Sequence, residues 1–174
     1  GKTLGIHAYG NVGSLVGLLG KAFGMNVIAF DPFVKRENVE KDGVGYVETI
    51  EDLYKKANYI SLHIPANDKT KKSINYALLS LMPQGAFLIN TARKEVVNEE
   101  DLVKLMAERE DFKYATDIAP ENLAELKEKF GNRVFATPKK MGAETSEANI
   151  NAGLAAIRQA IGFLKDGIDK FRVN

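Results

Sequence analysis

Between Ala8 and Gly13 the sequence reads A-Y-G-N-V-G. That spacing is one glycine short of the G-x-G-x-x-G turn that receives a dinucleotide. Gly10 lets the backbone approach a pyrophosphate, Gly13 lets a helix pack closely on a strand, and the amides at the helix start meet the anion. Tyr9, Gly10, Asn11 and Val12 are therefore the residues expected against the phosphates. Ala8 stands where the first glycine would be, so the tight turn must tolerate a methyl group. Roughly 20 residues past this turn the run NVIAF ends in Asp31, placed to accept hydrogen bonds from the adenosine ribose hydroxyls and to repel the extra phosphate of NADP. A ligand-free glycine turn and an aspartate capping a turn before Pro32 are the plain structural alternatives. Together the two signals favour NAD.

Stepping along the chain, short apolar runs alternate with amphipathic segments. TLGIHA, NVIAF, NYISLHI, GAFLIN, FKYATDI and RVFAT read as strands, and the tail DKFRVN as a further short strand or an extended end. Helices are predicted over Asn11 to Phe23, with Val12, Val16, Leu19 and Phe23 on one face and Gly24 as stop signal, over IEDLYKKA, and over Asn75 to Met82. Others are predicted over Asn98 to Glu108, over Glu121 to Phe130, and from about Glu144 to Leu164. The last carries Ile150, Leu154, Ile157, Ile161 and Leu164 as an apolar stripe. Residues 33–45 read as a loop or short helix. Strict alternation implies an α/β fold: a doubly wound, Rossmann-type parallel sheet of six or seven strands with helices on both faces, in one domain. Its ligand belongs at the carboxyl ends of the strands.

Composition narrows the rest. The chain has 174 residues, a formal net charge of +1 and no cysteine. Disulfides and thiolate metal sites are excluded, and with only His7 and His63 a histidine-built metal site is not expected. Near-neutral charge gives no electrostatic case for nucleic acid or an acidic membrane. No apolar run approaches the ~20 residues of a membrane span, and no signal-peptide pattern opens the chain, so a cytoplasmic protein is expected. The opening GKTLGIHAYG runs almost straight into a strand, which suggests a piece of something longer.

The blocks GKTLGIHAYGNVG, VIAFDP, ISLHIP, LINTAR-EVVNEEDL, ATDIAP and TPKKMGA, in this order, resemble the nucleotide-binding domain of the D-2-hydroxyacid dehydrogenases. Within that family the likeness is to short phosphoglycerate dehydrogenases that use lysine in place of the usual histidine. The resemblance implies an NAD-dependent oxidoreductase acting on a 2-hydroxy acid, with 3-phosphoglycerate and serine biosynthesis the best match. It implies a preceding substrate domain, without which the piece is inactive, and a homodimer formed through this domain. It assigns Arg93 to the substrate carboxylate and carbonyl, Asp117 to the nicotinamide carboxamide, and His63 and Pro65 to a cofactor-lining loop. Thr91, Ala92 and Gly142 face the cofactor.

For His63 a core histidine satisfied by backbone is the equal alternative. Lys139 falls at the position of the acid/base histidine, with Lys140 as a rival because one extra residue precedes Gly142. The family's acidic partner position holds Asn122, with Glu121 one residue off register, and Lys94 replaces the glycine after the arginine. A lysine needs no tautomer-fixing partner, provided burial and a nearby cation, Arg93 being the candidate, lower its pKa. A solvated Lys-Lys pair is the plain alternative. The competing function is a non-catalytic NAD sensor or corepressor, and a flavodoxin-like protein without NAD is a more distant one.

Overall fold

The computed structural model describes residues 1–140, 142, 145–170 and 172. Met141, Ala143 and Glu144, within and just after TPKKMGA, and Phe171, Val173 and Asn174 of the tail lie outside the described residues. Two compact units are present, Gly1–Pro138 and Lys139–Asn174.

The first unit is built on a seven-stranded, wholly parallel sheet. In chain order its elements are β1 (Thr3–His7), α1 (Asn11–Ala22), β2 (Asn26–Phe30), α2 (Arg36–Glu40), β3 (Gly45–Tyr46), α3 (Ile50–Lys56) and β4 (Tyr59–Leu62). They continue with α4 (Tyr76–Leu79), β5 (Phe87–Asn90), α5 (Glu99–Glu108), β6 (Lys113–Thr116), α6 (Leu123–Phe130) and β7 (Val134–Ala136). The strand order is β3-β2-β1-β4-β5-β6-β7. The order reverses between β1 and β4, and the crevice at such a switch point is where a doubly wound sheet holds its ligand. The expected architecture is therefore present, with the two-residue β3 as an addition to the predicted strands.

Two buried clusters cover the sheet. Leu4, Ile6, Val27 and Ala29 belong to one, while Ile60, Leu62, Leu88 and Tyr114 belong to the larger one. Central strands buried on both faces explain why their sequences read as continuous apolar runs.

Helix α1 corrects the expected face. Val12, Leu19 and Phe23 are 61%, 60% and 83% exposed, whereas Gly13, Gly17 and Gly20 are the buried residues of the helix. These glycines recur at i, i+4 and i+7 and form one face. A methyl on Gly13 would lie 2.1 Å from the Ala8 carbonyl oxygen, and one on Gly20 would lie 2.7 Å from Leu4 Cδ2. Close approach to the sheet demands hydrogen on that face, so the large apolar residues, Leu15 among them, point outward.

The second unit carries α7 (Ser146–Asp166), capped by Thr145 and ended by Gly167 in the left-handed conformation. None of its residues is buried, and Ile150, Leu154, Ile157, Ile161 and Leu164 are exposed. No described helix is long and apolar enough to cross a membrane.

Candidate cofactor and substrate site

The chain leaves β1 through Ala8, whose φ of 77° lies in the left-handed region. This is the backbone that the missing glycine would have supplied without strain, and alanine adopts it at a cost. Ala8 N–H still donates to the Phe30 carbonyl, 2.9 Å away. Gly10 then starts α1 with no side-chain cap and no acidic residue in the first turn. By contrast α3, α4, α5 and α7 each begin with a Thr or Asn side chain accepting from a helix amide. A methyl on Gly10 would meet nothing within 4 Å, so the space before the α1 amides is open. Uncapped amides facing open space suit a phosphate.

Tyr9 enters this site by its backbone only. Its ring is 5% exposed, packs over Gly17, and its hydroxyl donates to Asp42 at 3.0 Å. Burial and that carboxylate push its pKa up to about 12.

Asp31, 6% exposed at the end of β2, holds the turn together. Its Oδ2 accepts from Tyr9 N–H at 2.8 Å, and its Oδ1 accepts from the amides of Phe33 and Val34 at 2.8 and 3.2 Å. A carboxylate offers about four lone-pair sites. Three are taken here, so one acceptor position, on Oδ2, remains for a further donor.

Between these groups lie two histidines. His7 is 5% exposed, and its Nδ1 shares a hydrogen bond with the hydroxyl of fully buried Tyr54 at 3.2 Å. Burial drives its pKa down to about 4, against the opposing pull of Asp31. His63 is half-buried with Nε2 2.9 Å from Ser61 Oγ, and burial again takes it to about 4. Its amide donates to the His7 carbonyl, and Pro65 follows it at the surface. Both histidines are neutral at neutral pH.

The other half of the site sits at the ends of β5 and β6. Thr91 and Arg93 are exposed, and Ala92 is 8% exposed. Arg93 Nη1 donates to the Ala92 carbonyl at 2.8 Å. Asp117 follows β6, fixed by its amide to the Asn90 carbonyl and by Thr137 Oγ1 donating to its own carbonyl at 3.1 Å. Its Oδ1 is buried without a hydrogen-bond partner, an acceptor awaiting a donor such as a carboxamide N–H. Asn122 Oδ1 is likewise buried and unpartnered. Glu121 turns instead to Lys94, whose Nζ lies 2.9 Å away. A cavity of about 750 Å³ beside them is lined by Lys71, Lys72, Lys94, Glu99, Glu121 and Asn122 among others. It reaches neither Asp31 nor the glycine turn.

Lys139 and Lys140 belong to the second unit, where Lys139 is exposed and Lys140 half-buried. The burial expected of the acid/base lysine is not found at Lys139 within this chain. Gly142 is exposed in the same unit. Sequence reasoning passed over Asn90, Thr116 and Thr137, which hold the loops bearing Arg93 and Asp117. The signal was present in Asn90, since asparagine at a strand end commonly bonds the backbone two residues on.

A parallel sheet with an uncapped glycine turn, a carboxylate after β2 and an orphaned acceptor after β6 defines a dinucleotide-binding domain. The family described as "D-isomer specific 2-hydroxyacid dehydrogenase, NAD binding domain" matches residues 1–140, and the chain belongs to it. Among solved structures it resembles the NAD+-bound 3-phosphoglycerate dehydrogenase of Entamoeba histolytica, with a TM-score of 0.86 and 44% identity over 99% of this chain and 55% of that one. It also resembles the Aquifex aeolicus D-lactate dehydrogenase complexed with NAD and lactic acid, at a TM-score of 0.76 and 29% identity over 98% of this chain and 56% of that one. The D-3-phosphoglycerate dehydrogenase of Methanocaldococcus jannaschii is 35% identical over 91% of this chain and 30% of its own length. The chain spans about half or less of the length of these relatives.

Proposed function

We propose that this chain is the cofactor-binding part of an enzyme that transfers hydride between a 2-hydroxy acid and NAD, with 3-phosphoglycerate as the acid. The carrying observation is the division of the strand ends: Asp31 and the uncapped α1 start lie after β2 and β1, while Arg93 and Asp117 lie after β5 and β6. The names of the similar proteins from Entamoeba histolytica and Methanocaldococcus jannaschii support the choice of acid.

NAD supplies the hydride acceptor. Among the chain's residues, Gly10 and the amides of Asn11 and Val12 receive the pyrophosphate, and Asp31 accepts one ribose hydroxyl. Asp117 Oδ1 accepts from the carboxamide, while Thr91, Ala92, His63, Pro65 and Gly142 line the cofactor. Arg93 clamps the substrate carboxylate by paired charged hydrogen bonds and polarises its neighbour carbonyl. Lys139 accepts the hydroxyl proton, with Lys140 as the alternative base. A substrate domain elsewhere in a longer protein completes the pocket. Two copies pair through the outward face of α1, where Leu15 joins Val12, Leu19 and Phe23 in an exposed apolar stripe.

The test is NADH production by the full-length protein with 3-phosphoglycerate, D-glycerate and D-lactate. The expected result is NAD-dependent turnover with at least about tenfold preference for the phosphorylated acid, a discrimination worth ~1.4 kcal/mol. Turnover of the unphosphorylated acids alone would remove 3-phosphoglycerate. Tight NAD binding with no turnover of any acid would favour a sensor or corepressor.

A further inference from the structure

Arg93 is exposed, yet the side chain bonded to its carbonyl belongs to a residue three positions earlier that is fully buried. Asn90, 0% exposed, ends β5. Its Nδ2 donates to the Arg93 carbonyl at 2.9 Å, and its Oδ1 accepts from the Ala92 amide at 3.0 Å. These two bonds draw the three residues after β5 into a tight loop, so Arg93 leaves the sheet at an angle set by one side chain. That side chain is enclosed, with Tyr114 and Thr116, 2% and 3% exposed, on the adjacent strand β6. Thr116 is the register partner of Asn90 on β6 and ties down the next loop, its Oγ1 donating to the Ile118 carbonyl and accepting from the Ile118 amide at 2.9 and 3.1 Å.

We propose that Asn90 is the positioning residue for Arg93, a role that rests on the dehydrogenase reading above. A primary amide donates and accepts at once, which is what the Arg93 carbonyl and the Ala92 amide require. A serine hydroxyl reaches one of them. A carboxylate still accepts from Ala92 but turns lone pairs toward the Arg93 carbonyl. A neutral carboxylic acid, with one O–H donor, restores both bonds. Asn90→Asp is therefore a titratable copy of Asn90, with a pKa raised by burial and by the facing carbonyl.

The experiment measures KM for the 2-oxo acid in the reductive direction, from pH 5 to pH 9, in the full-length protein. At pH 5 Asn90→Asp should match the unsubstituted protein, and by pH 9 its KM should be at least tenfold higher. In an Arg93→Ala background the same substitution should add no pH dependence. Reduced folding alone would lower apparent kcat and leave KM unmoved. The Ala92 amide resonance of the variant should titrate with the KM midpoint, a readout that needs no turnover. Asn90→Ser should raise KM without pH dependence. The proposal is overturned if KM of Asn90→Asp follows the unsubstituted protein throughout, if the pH effect survives in Arg93→Ala, or if Ala92 does not titrate. Failure of both variants to fold would assign Asn90 to the fold instead and overturn it equally. An unsubstituted protein that turns over no acid speaks against the dehydrogenase reading, and the Ala92 titration then decides on Asn90 alone.

Discussion

Replacing Ala8 by glycine should cost the protein little stability or raise it, although alanine-to-glycine changes ordinarily cost stability. At φ 77° an alanine pays roughly 1–2 kcal/mol for its left-handed backbone, which glycine does not. Against that, glycine gives the unfolded chain about 0.4–1 kcal/mol of extra freedom. The half-buried methyl accounts for about 0.4 kcal/mol more, half the value of a buried methylene. The net runs from a loss of about 0.4 kcal/mol to a gain of about 1.2 kcal/mol, the gain being worth up to ~5 °C in Tm for a chain of this size. Ala29, 0% exposed in the middle of β2, is the control. There glycine relieves nothing and loses a fully buried methyl, so Ala29→Gly should cost about 1–2 kcal/mol. Urea unfolding followed by circular dichroism reads both variants against the parent. If Ala8→Gly is destabilised as much as Ala29→Gly, the turn is not strained and the reasoning fails.

Asp31→Ala should narrow the preference for NAD over NADP measured by calorimetry, and should also lower the melting temperature, because three amides lose their acceptor. Equal affinity of the unsubstituted chain for both cofactors would refute the assignment. In the full-length protein Lys139→Ala should cut turnover by about 10²–10⁴-fold with NAD affinity nearly intact, and Lys139→Arg should not restore it. A dead Lys140→Ala beside an active Lys139→Ala would move the base by one residue. His7 and His63 bind protons near pH 6.5 when unfolded but only near pH 4 when folded. Linkage then makes stability decline as pH falls from about 6.5 to 4, with a slope approaching 1.4 kcal/mol per pH unit for each histidine. The half-buried His63 should give the smaller share, and His7→Gln should flatten the decline; an unchanged slope would mean that His7 does not titrate in this range.

The strands were legible because β1, β4 and β5 are mostly buried and therefore mainly apolar, with His7, Ser61 and Asn90 the buried polar exceptions. Asn98 was readable as a cap from its side-chain chemistry, whereas Asn75, read as the first residue of its helix, is the cap of α4; both accept from the helix amide three residues on. Strand β3 escaped because two residues carry no period. The error over α1 has a different origin. Periodicity tells which residues share a face, but not which face is inner, and the large residues were assumed to be buried. The order of magnitude that decides is contact distance: with a Cβ site 2.1 Å from a backbone oxygen at Gly13, only the glycine face can lie against the sheet. The turn and Asp31 were readable as chemistry, but not the count of amides that Asp31 already serves. Sequence could suggest the Asn90 bond to the Ala92 amide two residues on, but not the one to the Arg93 carbonyl, which depends on a loop closing in space.

The three amides on Asp31 also bear on how the domain meets its ligand. A surface aspartate rotates and must give up that freedom when a hydroxyl arrives, whereas this carboxylate has its rotamer chosen beforehand by Tyr9, Phe33 and Val34. The ordering cost is settled during folding, so affinity becomes partly a property of the turn from Asp31 to Val34. Under the proposed role of Asp31, exposed Phe33 and half-buried Val34, which donate only their backbones, would act on a nucleotide through the geometry of their amides. A proline at either position would remove one of those donors and leave the carboxylate loose, with the acidic charge unchanged.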